Sequence, residues 1–289
     1  MLKKRLIATL VVKDGWVVQS IGFSKFLPVG TLATSVEYLN KWGIDEILVL
    51  DIDASVKNIK PDSKMIESVS KFSQTPIAVG GGISSIEDMK ELIRNGADKV
   101  IINSQFLKDP DIVQLGASYF GNQCIVVSID INQDDEGNYY VFSKNIDCKQ
   151  MDYKELITIA QEYGAGEIFI NAVHKDGMKT GYDIELYNEI KNLINIPVIF
   201  CGGVGHIDHL IEGSSIGIDA LAVGNYFHFT EMSVILSKEV MSRADLTVRT
   251  DTFASYKTAN YDPEESRITK LNDLDLQNMR FVKIEDEVI

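Results

Sequence analysis

Cysteine is scarce: Cys124, Cys148 and Cys201 are the only three in 289 residues, and they form neither a CxxC pair nor a His/Cys cluster with metal-ligand spacing. That argues against a disulfide framework and against a zinc site, so no metal or other cofactor is expected, and a reducing cytoplasm is the simplest home for such thiols. Positive charge is also in short supply, with 28 Lys and Arg against 42 Asp and Glu and a net charge of -14. Such a balance repels a phosphate backbone, which argues against general nucleic-acid binding but leaves room for a small local phosphate site. Long hydrophobic runs are missing too. The apolar stretch that follows the basic start at Met1–Arg5 breaks at Lys13-Asp14-Gly15, too early for a signal peptide or a membrane span, so no membrane partner is expected.

What the chain does have is an internal echo. Pro76-Ile-Ala-Val-Gly-Gly-Gly-Ile83 returns as Pro197-Val-Ile-Phe-Cys-Gly-Gly-Val204, and the pairs Gly82/Gly203, Gly96/Gly217, Asp98/Asp219 and Glu46/Glu167 keep the same separation of 121 residues. A strand ending in a glycine pair, a helix, and Gly-x-Asp opening another apolar run make a βαβ unit, and two copies imply a duplicated half-barrel. Eight short apolar runs recur, at about Leu6–Val12, Glu46–Ile52, Ile77–Val79, Lys99–Ile102, Cys124–Ile129, Glu167–Ala172, Val198–Cys201 and Ala220–Val223. They are continuously apolar, as strands covered on both faces are, and helical-period segments such as Ile86–Asn95 and Tyr153–Tyr163 separate most of them. The pattern predicts an α/β fold, a (β/α)8 or TIM barrel over residues 1–249 with duplicated halves. Residues 250–289 lose the rhythm and read as an acidic C-terminal extension, for which a docked tail, an oligomer contact and partial disorder all stay open.

In such barrels chemistry sits at the carboxyl ends of the strands and the amino ends serve stability. Gly81-Gly82 follows the third run and Asn103-Ser104 the fourth; Gly202-Gly203 and Gly224-Asn225 are their partners after the seventh and eighth. Glycines let the backbone approach an anion, and amides at a helix start supply donors, so each pair suits one phosphate of a phosphorylated small molecule. One glycine pair alone reads rather as a tight turn; the duplicated context reverses that and favours two phosphate sites. Asp176-Gly177 either adds a carboxylate and a donor beside the second site or is an ordinary turn.

The chain closely resembles the cyclase subunit of imidazole glycerol phosphate synthase across about residues 1 to 249. The likeness is carried by Val12-Lys13-Asp14-Gly15, Leu50-Asp51-Ile52, Val79-Gly-Gly-Gly-Ile83, Gly96-Ala-Asp-Lys99, Asn103-Ser104, Cys124-Ile-Val-Val-Ser-Ile-Asp130, Gly164-Ala-Gly-Glu167, Asp176-Gly177, Gly181-Tyr-Asp183 and Phe227-His-Phe229. The resemblance implies a barrel that takes ammonia from a separate glutaminase subunit and uses it to cleave and cyclise a bisphosphorylated ribonucleotide. It also implies that Arg5, Glu46, Lys99 and Glu167 form an ammonia gate at the amino ends of the strands, with Asp98 beside them facing the glutaminase. Taken alone, four charges at strand starts are solvated or paired structural groups.

The family pattern breaks at one catalytic position. It wants an aspartate ending the first strand and another ending the fifth; Asp130 supplies the second, but Val11 stands at the first. Valine carries no proton, and a missing general acid or base costs about 10²- to 10⁴-fold. Gln19 replaces the family's lysine and Trp16 its common arginine, while Cys201 and Asn225 stand where serines are usual. Asp53 and His174 are the candidates for compensation, against the alternatives of a helix cap and a satisfied polar group. The resemblance then points to a divergent paralogue that conducts glutaminase-derived ammonia toward a separate sugar-amidating enzyme, which makes acetamidino groups on surface polysaccharide. The alternative is a genuine histidine-pathway cyclase, a lyase.

Overall fold

The computed structural model describes residues 3–71, 73–230 and 232–250, with Thr252, Ala254 and the backbone of Tyr261–Asp262 and Arg267–Ile268. Its strands in chain order are β1 (Arg5–Lys13), β2 (Trp16–Ile21), β3 (Lys25–Gly30), β4 (Glu46–Asp51), β5 (Ile77–Gly80), β6 (Lys99–Ile102), β7 (Ile125–Gln133), β8 (Tyr139–Val141), β9 (Glu167–Ala172), β10 (Val198–Cys201) and β11 (Ala220–Val223). Eight of them, β1, β4, β5, β6, β7, β9, β10 and β11, pair in parallel in that order, and β11 returns to β1 with Arg5 opposite Ala220. The result is the closed (β/α)8 barrel that the alternation predicts. The expected extension over 250–289 lies, apart from the few positions named, outside the described residues.

The duplication shows in the backbone itself. Gly81 and Gly202 take φ of 116° and 114°, and Gly96 and Gly217 take 102° and 108°. Ser85 and His206, again 121 residues apart, cap the helices Ile86–Arg94 and Ile207–Ser215 from nearly the same extended conformation. Each accepts a hydrogen bond from a first-turn amide, which satisfies one of the donors a helix start leaves free. At the amino rim Asp98 and Asp219 also correspond, their carboxylates accepting from Ile77 N and Val198 N.

Two hairpins escape the strand-and-helix reading. The chain reverses at Asp14-Gly15, both at positive φ, so that Lys13 pairs Trp16 and β2 and β3 continue antiparallel from β1. Asp-Gly is the preferred pair for such a two-residue turn. Similarly, β7 runs on to Gln133 and pairs antiparallel with β8. Both hairpins rise over the carboxyl ends of the barrel strands.

Inside the barrel the inward side chains change character with height. The charged Arg5, Glu46, Lys99 and Glu167 stand at the amino end. Above them lies an apolar cluster that includes Ile7, Leu48, Ala78, Ile101, Val126, Phe169 and Ile199, none more than 3% exposed. Polar groups reappear at Thr9, Ser128 and Asn171, where the barrel opens. A second, larger core fills the space between strands and helices. Among the described residues no helix is long and apolar enough to cross a membrane.

Candidate functional site

At the carboxyl end a cavity of about 400 Å³ opens, lined by Thr9, Val11, Asp51, Gly80–Gly82, Asn103, Ser104, Ser128, Asp130, Asn171, Asp176, Gly177, Cys201–Gly203, Gly224 and Asn225 among others. All of the expected phosphate-turn residues therefore share one cavity. Their backbones require it: a Cβ on Gly81 would collide with the Asp51 carbonyl and one on Gly203 with the Gly181 carbonyl, both from positive φ. The Gly82 amide donates to Ser55 Oγ at 3.1 Å, which ties the first turn to the helix Ile52–Lys57.

Asp130 is the central carboxylate. It stands near the open end of β7, opposite Asn171 of β9 in register, and the Asn103 amide donates to its Oδ2 at 3.1 Å. Asn103 precedes a helix but its side chain makes no cap bond, pointing instead at Asp130 and Ser128. Burial pushes the Asp130 carboxyl up to about 7, with Asp176 adding to the rise and the amides of Asn171 and Asn103 holding it down. A carboxyl poised there can take or give a proton near neutral pH. Four strands away in either direction around the barrel, the cavity wall is Val11 of β1. The thiol of Cys201 is pushed up to about 12 by burial, so it stays protonated; it lies 3.9 Å from Thr9 Oγ1.

Asp176 and Asn225 are where the sequence put them, yet their side chains serve the hairpin. Ser20 Oγ donates to Asp176 Oδ2 at 2.6 Å and Phe23 N donates to the same oxygen at 3.2 Å. Asn225 pairs twice with the Ser20 backbone, accepting from its amide at 3.2 Å and donating to its carbonyl at 2.7 Å. These bonds hold the β2–β3 hairpin over the cavity.

Two expectations need correction. Asp53 does not end a strand: β4 stops at Asp51, and Asp53 lies in the first turn of Ile52–Lys57, outside the cavity lining. Its carboxylate accepts from Asp14 N at 2.8 Å and pairs Lys13 and Lys57, which hold it below the usual carboxylate range. His174 is also absent from the lining. It sits in the turn Val173–Lys175, with Nε2 2.7 Å from Asp183 Oδ2, and Tyr139 OH donates to the same carboxylate. Asp53 is taken up by structural partners, and His174 is held through Nε2 while its buried Nδ1 has no hydrogen-bond partner among the described residues.

At the opposite end the four charges close a ring. Arg5 Nη1 lies 2.8 Å from Glu46 Oε2 and 2.8 Å from Glu167 Oε1; Lys99 Nζ lies 2.8 Å from Glu46 Oε1 and 3.1 Å from Glu167 Oε2. Each cation bridges both carboxylates and each carboxylate divides its oxygens between the cations. Asp98, exposed beside the ring, spends its carboxylate on the Ile77 amide.

Sequence reasoning passed over several lining residues. Asp51, raised by burial and capping the next helix through Asp53 N and Ala54 N, stood inside a quoted motif. Thr9, Ser128 and Asn171 are legible only once the inward alternation is known. Lys144 and Lys179 carry no local signal at all.

A family model described as histidine biosynthesis protein matches residues 5–233. A protein of Vibrio vulnificus (strain YJ016), provisionally named imidazole glycerol phosphate synthase subunit hisF2, is 39% identical over 265 residues, covering 91% of this chain and 97% of that protein. The imidazole glycerol phosphate synthase subunit HisF of Bacillus cereus (strain G9842) is 40% identical over 252 residues, covering 86% of this chain and all of the relative. The HisF subunit of Campylobacter jejuni subsp. jejuni serotype O:6 (strain 81116 / NCTC 11828) is 37% identical over 254 residues, with coverage of 86% and 100%.

Proposed function

The chain belongs to the histidine biosynthesis protein family and is a homologue of its imidazole glycerol phosphate synthase HisF subunits; from that membership we propose that it is the ammonia-accepting barrel subunit of a glutamine amidotransferase complex. In this reading a glutaminase subunit docks on the amino rim beside Asp98, and ammonia passes the ring of Arg5, Glu46, Lys99 and Glu167. It then crosses the apolar interior to the cavity, where the two glycine turns hold a phosphorylated ligand. The ring neutralises itself, so a neutral molecule meets no net charge there, and small shifts of the long Arg5 and Lys99 side chains open a path.

The observation that carries the reading is an intact ring beneath a cavity that keeps Asp130 but has an apolar side chain across the barrel from it. Asp130 faces Val11, which neither donates nor accepts. The loss of one general acid or base costs about 10²- to 10⁴-fold. We therefore read cyclisation as lost and the ammonia as passed to a separate sugar-amidating enzyme, which exchanges the oxygen of an acetamido group for nitrogen. One observation favours the alternative of a working histidine-pathway cyclase: Asp130 is poised near neutrality in a cavity that keeps both glycine turns.

Titrating a glutaminase subunit from the same genome with the purified chain tests the shared part of both readings. Glutamine hydrolysis rises at least about tenfold at one equivalent, and Lys99→Met lowers that rise. A glutaminase whose activity and sedimentation ignore the chain contradicts the proposal.

A further inference from the structure

The rim of the cavity carries cations of two kinds. Lys13 and Lys57 are neutralised, each paired with both Asp14 and Asp53. Lys144 and Lys179 line the cavity itself and form no ion pair among the described residues. Each instead holds its ammonium over an aromatic face, Lys144 Nζ 4.8 Å from the Phe26 ring centre and Lys179 Nζ 4.6 Å from that of Phe229. In a chain with 42 acidic and 28 basic residues, an ammonium left without a carboxylate in a cavity is a charge awaiting a partner.

Lys144 is the better placed of the two because the segment carrying it is fastened at both ends. Phe142 N donates to the Asp130 carbonyl at 2.8 Å, and the Phe142 ring meets Phe23 of the β2–β3 hairpin edge-on at 6.0 Å. Two residues on from Phe142's neighbour, Asn145 accepts from Ser143 Oγ at 3.0 Å and donates to the Ser55 carbonyl at 3.1 Å. Ser55 is the residue whose hydroxyl holds the Gly82 amide. The segment thus crosses from the Asp130 wall to the helix that supports the first glycine turn. The charges that act on Lys144 there are Lys13, two residues beyond Val11 on β1, and Asp53; burial and Lys13 lower its affinity for a proton, and Asp53 opposes them. Its ammonium stands over the Phe26 ring of the β2–β3 hairpin, which continues from β1, on a segment tied to Ser55 of the helix that follows β4, so it lies toward the Val11 side of the cavity.

We propose that Lys144 is a substrate-contacting residue that sets specificity, its ammonium neutralising an anionic oxygen of the ligand held at the Gly81–Gly82 turn, on the Val11 side of the cavity. The ligand class is a phosphorylated small molecule with its charge at that end, and the proposal rests on the reading that the cavity takes such a ligand. A planar amide at this position keeps the length of a hydrogen bond but loses the charge, and arginine keeps the charge.

Calorimetric titration of the full chain with the family's bisphosphorylated aminoimidazole carboxamide ribonucleotide, and separately with inorganic phosphate, tests it. Lys144→Gln weakens binding by about 10- to 100-fold, the range of a charge-assisted hydrogen bond, while Lys144→Arg stays within about threefold of the natural chain. Lys41→Gln, on the outer surface beside Glu37 and Tyr38, leaves binding unchanged. If the ribonucleotide fails to bind but phosphate binds and depends on the Lys144 charge, the assigned ligand is wrong and the role of Lys144 stands. Equal losses in the glutamine and arginine variants, or none in either, overturn the proposal.

Discussion

Replacing Lys99 with methionine isolates the charge ring. The substitution removes the contacts of 2.8 Å to Glu46 and 3.1 Å to Glu167 and leaves both carboxylates sharing the Arg5 guanidinium. The Glu46 side chain is 3% exposed and Lys99 17%, so water cannot replace the lost ammonium. Breaking a buried pair by deleting one partner costs about 3–5 kcal/mol, and an exposed pair is worth about 0–1 kcal/mol. A ring that is buried on one side and open at the rim falls between, at about 2–3 kcal/mol. For a domain of this size each kcal/mol moves the melting temperature by about 2–4 °C, so Lys99→Met melts roughly 4–12 °C lower. Adding Glu46→Gln removes the stranded charge, and the double variant recovers at least about 1 kcal/mol relative to additivity. Circular-dichroism melts at pH 7 of the natural chain, the two single variants and the double variant measure this, and the loss persists in about 0.5 M salt because the pairs are shielded from ions. A Lys99→Met loss below about 0.5 kcal/mol, with an additive double variant, refutes the coupled ring.

Three further outcomes follow from the cavity. Asp130 binds its proton more tightly folded than unfolded, so between pH 4 and 7 the native state holds more protons and stability falls as pH rises. Asp130→Asn, which keeps the shape, is therefore expected to gain stability across that window, by about 2 kcal/mol or more above pH 7, and nothing at pH 4; urea melts at several pH values show it, and a gain independent of pH contradicts the buried-carboxyl argument. Gly81→Ala drives a Cβ into the Asp51 carbonyl and costs about 1–3 kcal/mol, whereas Gly224→Ala, whose Cβ would find nothing nearer than the Thr9 carbonyl oxygen at 3.6 Å, stays within about 0.5 kcal/mol. Asn225→Ala frees Ser20 from two hydrogen bonds and costs about 1–2 kcal/mol, with faster proteolysis between Trp16 and Gly30; unchanged cleavage argues that Asp176 alone holds the hairpin.

The barrel was legible because its signal is local and repeated. Buried parallel strands must be continuously apolar, and glycines at positive φ must recur wherever a strand turns tightly into a helix, so the 121-residue echo in sequence became matching φ at Gly81 and Gly202. The ring was legible only through the family resemblance: the repeat marks Glu46 and Glu167 as opening corresponding strands, but says nothing of Arg5 and Lys99. The hairpins were harder. Asp14-Gly15 reads as the end of an apolar run until β2 is seen to pair back on β1, and Pro28 and Lys25 blur the alternation of β3. The tasks of Asp176 and Asn225 depend on Ser20, 156 and 205 residues away, and no local pattern reports a contact at that range. Asp53 and His174 looked free in sequence because the groups that occupy them, Lys13, Asp14 and Asp183, are placed by turns. Lys144 was invisible for the same reason: only the fold carries it from β8 across to Ser55.

The central claim is that a cavity with Asp130 on one wall and valine on the other no longer cyclises the family's substrate. The direct measurement is ammonium-dependent turnover of the bisphosphorylated ribonucleotide, followed by loss of its absorbance, for the natural chain and Val11→Asp without any partner present. The account predicts that both bind the ribonucleotide and that the natural chain turns it over at least about 10²-fold more slowly than the variant. Equal turnover, with the natural chain within about tenfold of ordinary enzyme rates of about 1 to 10³ per second, contradicts it.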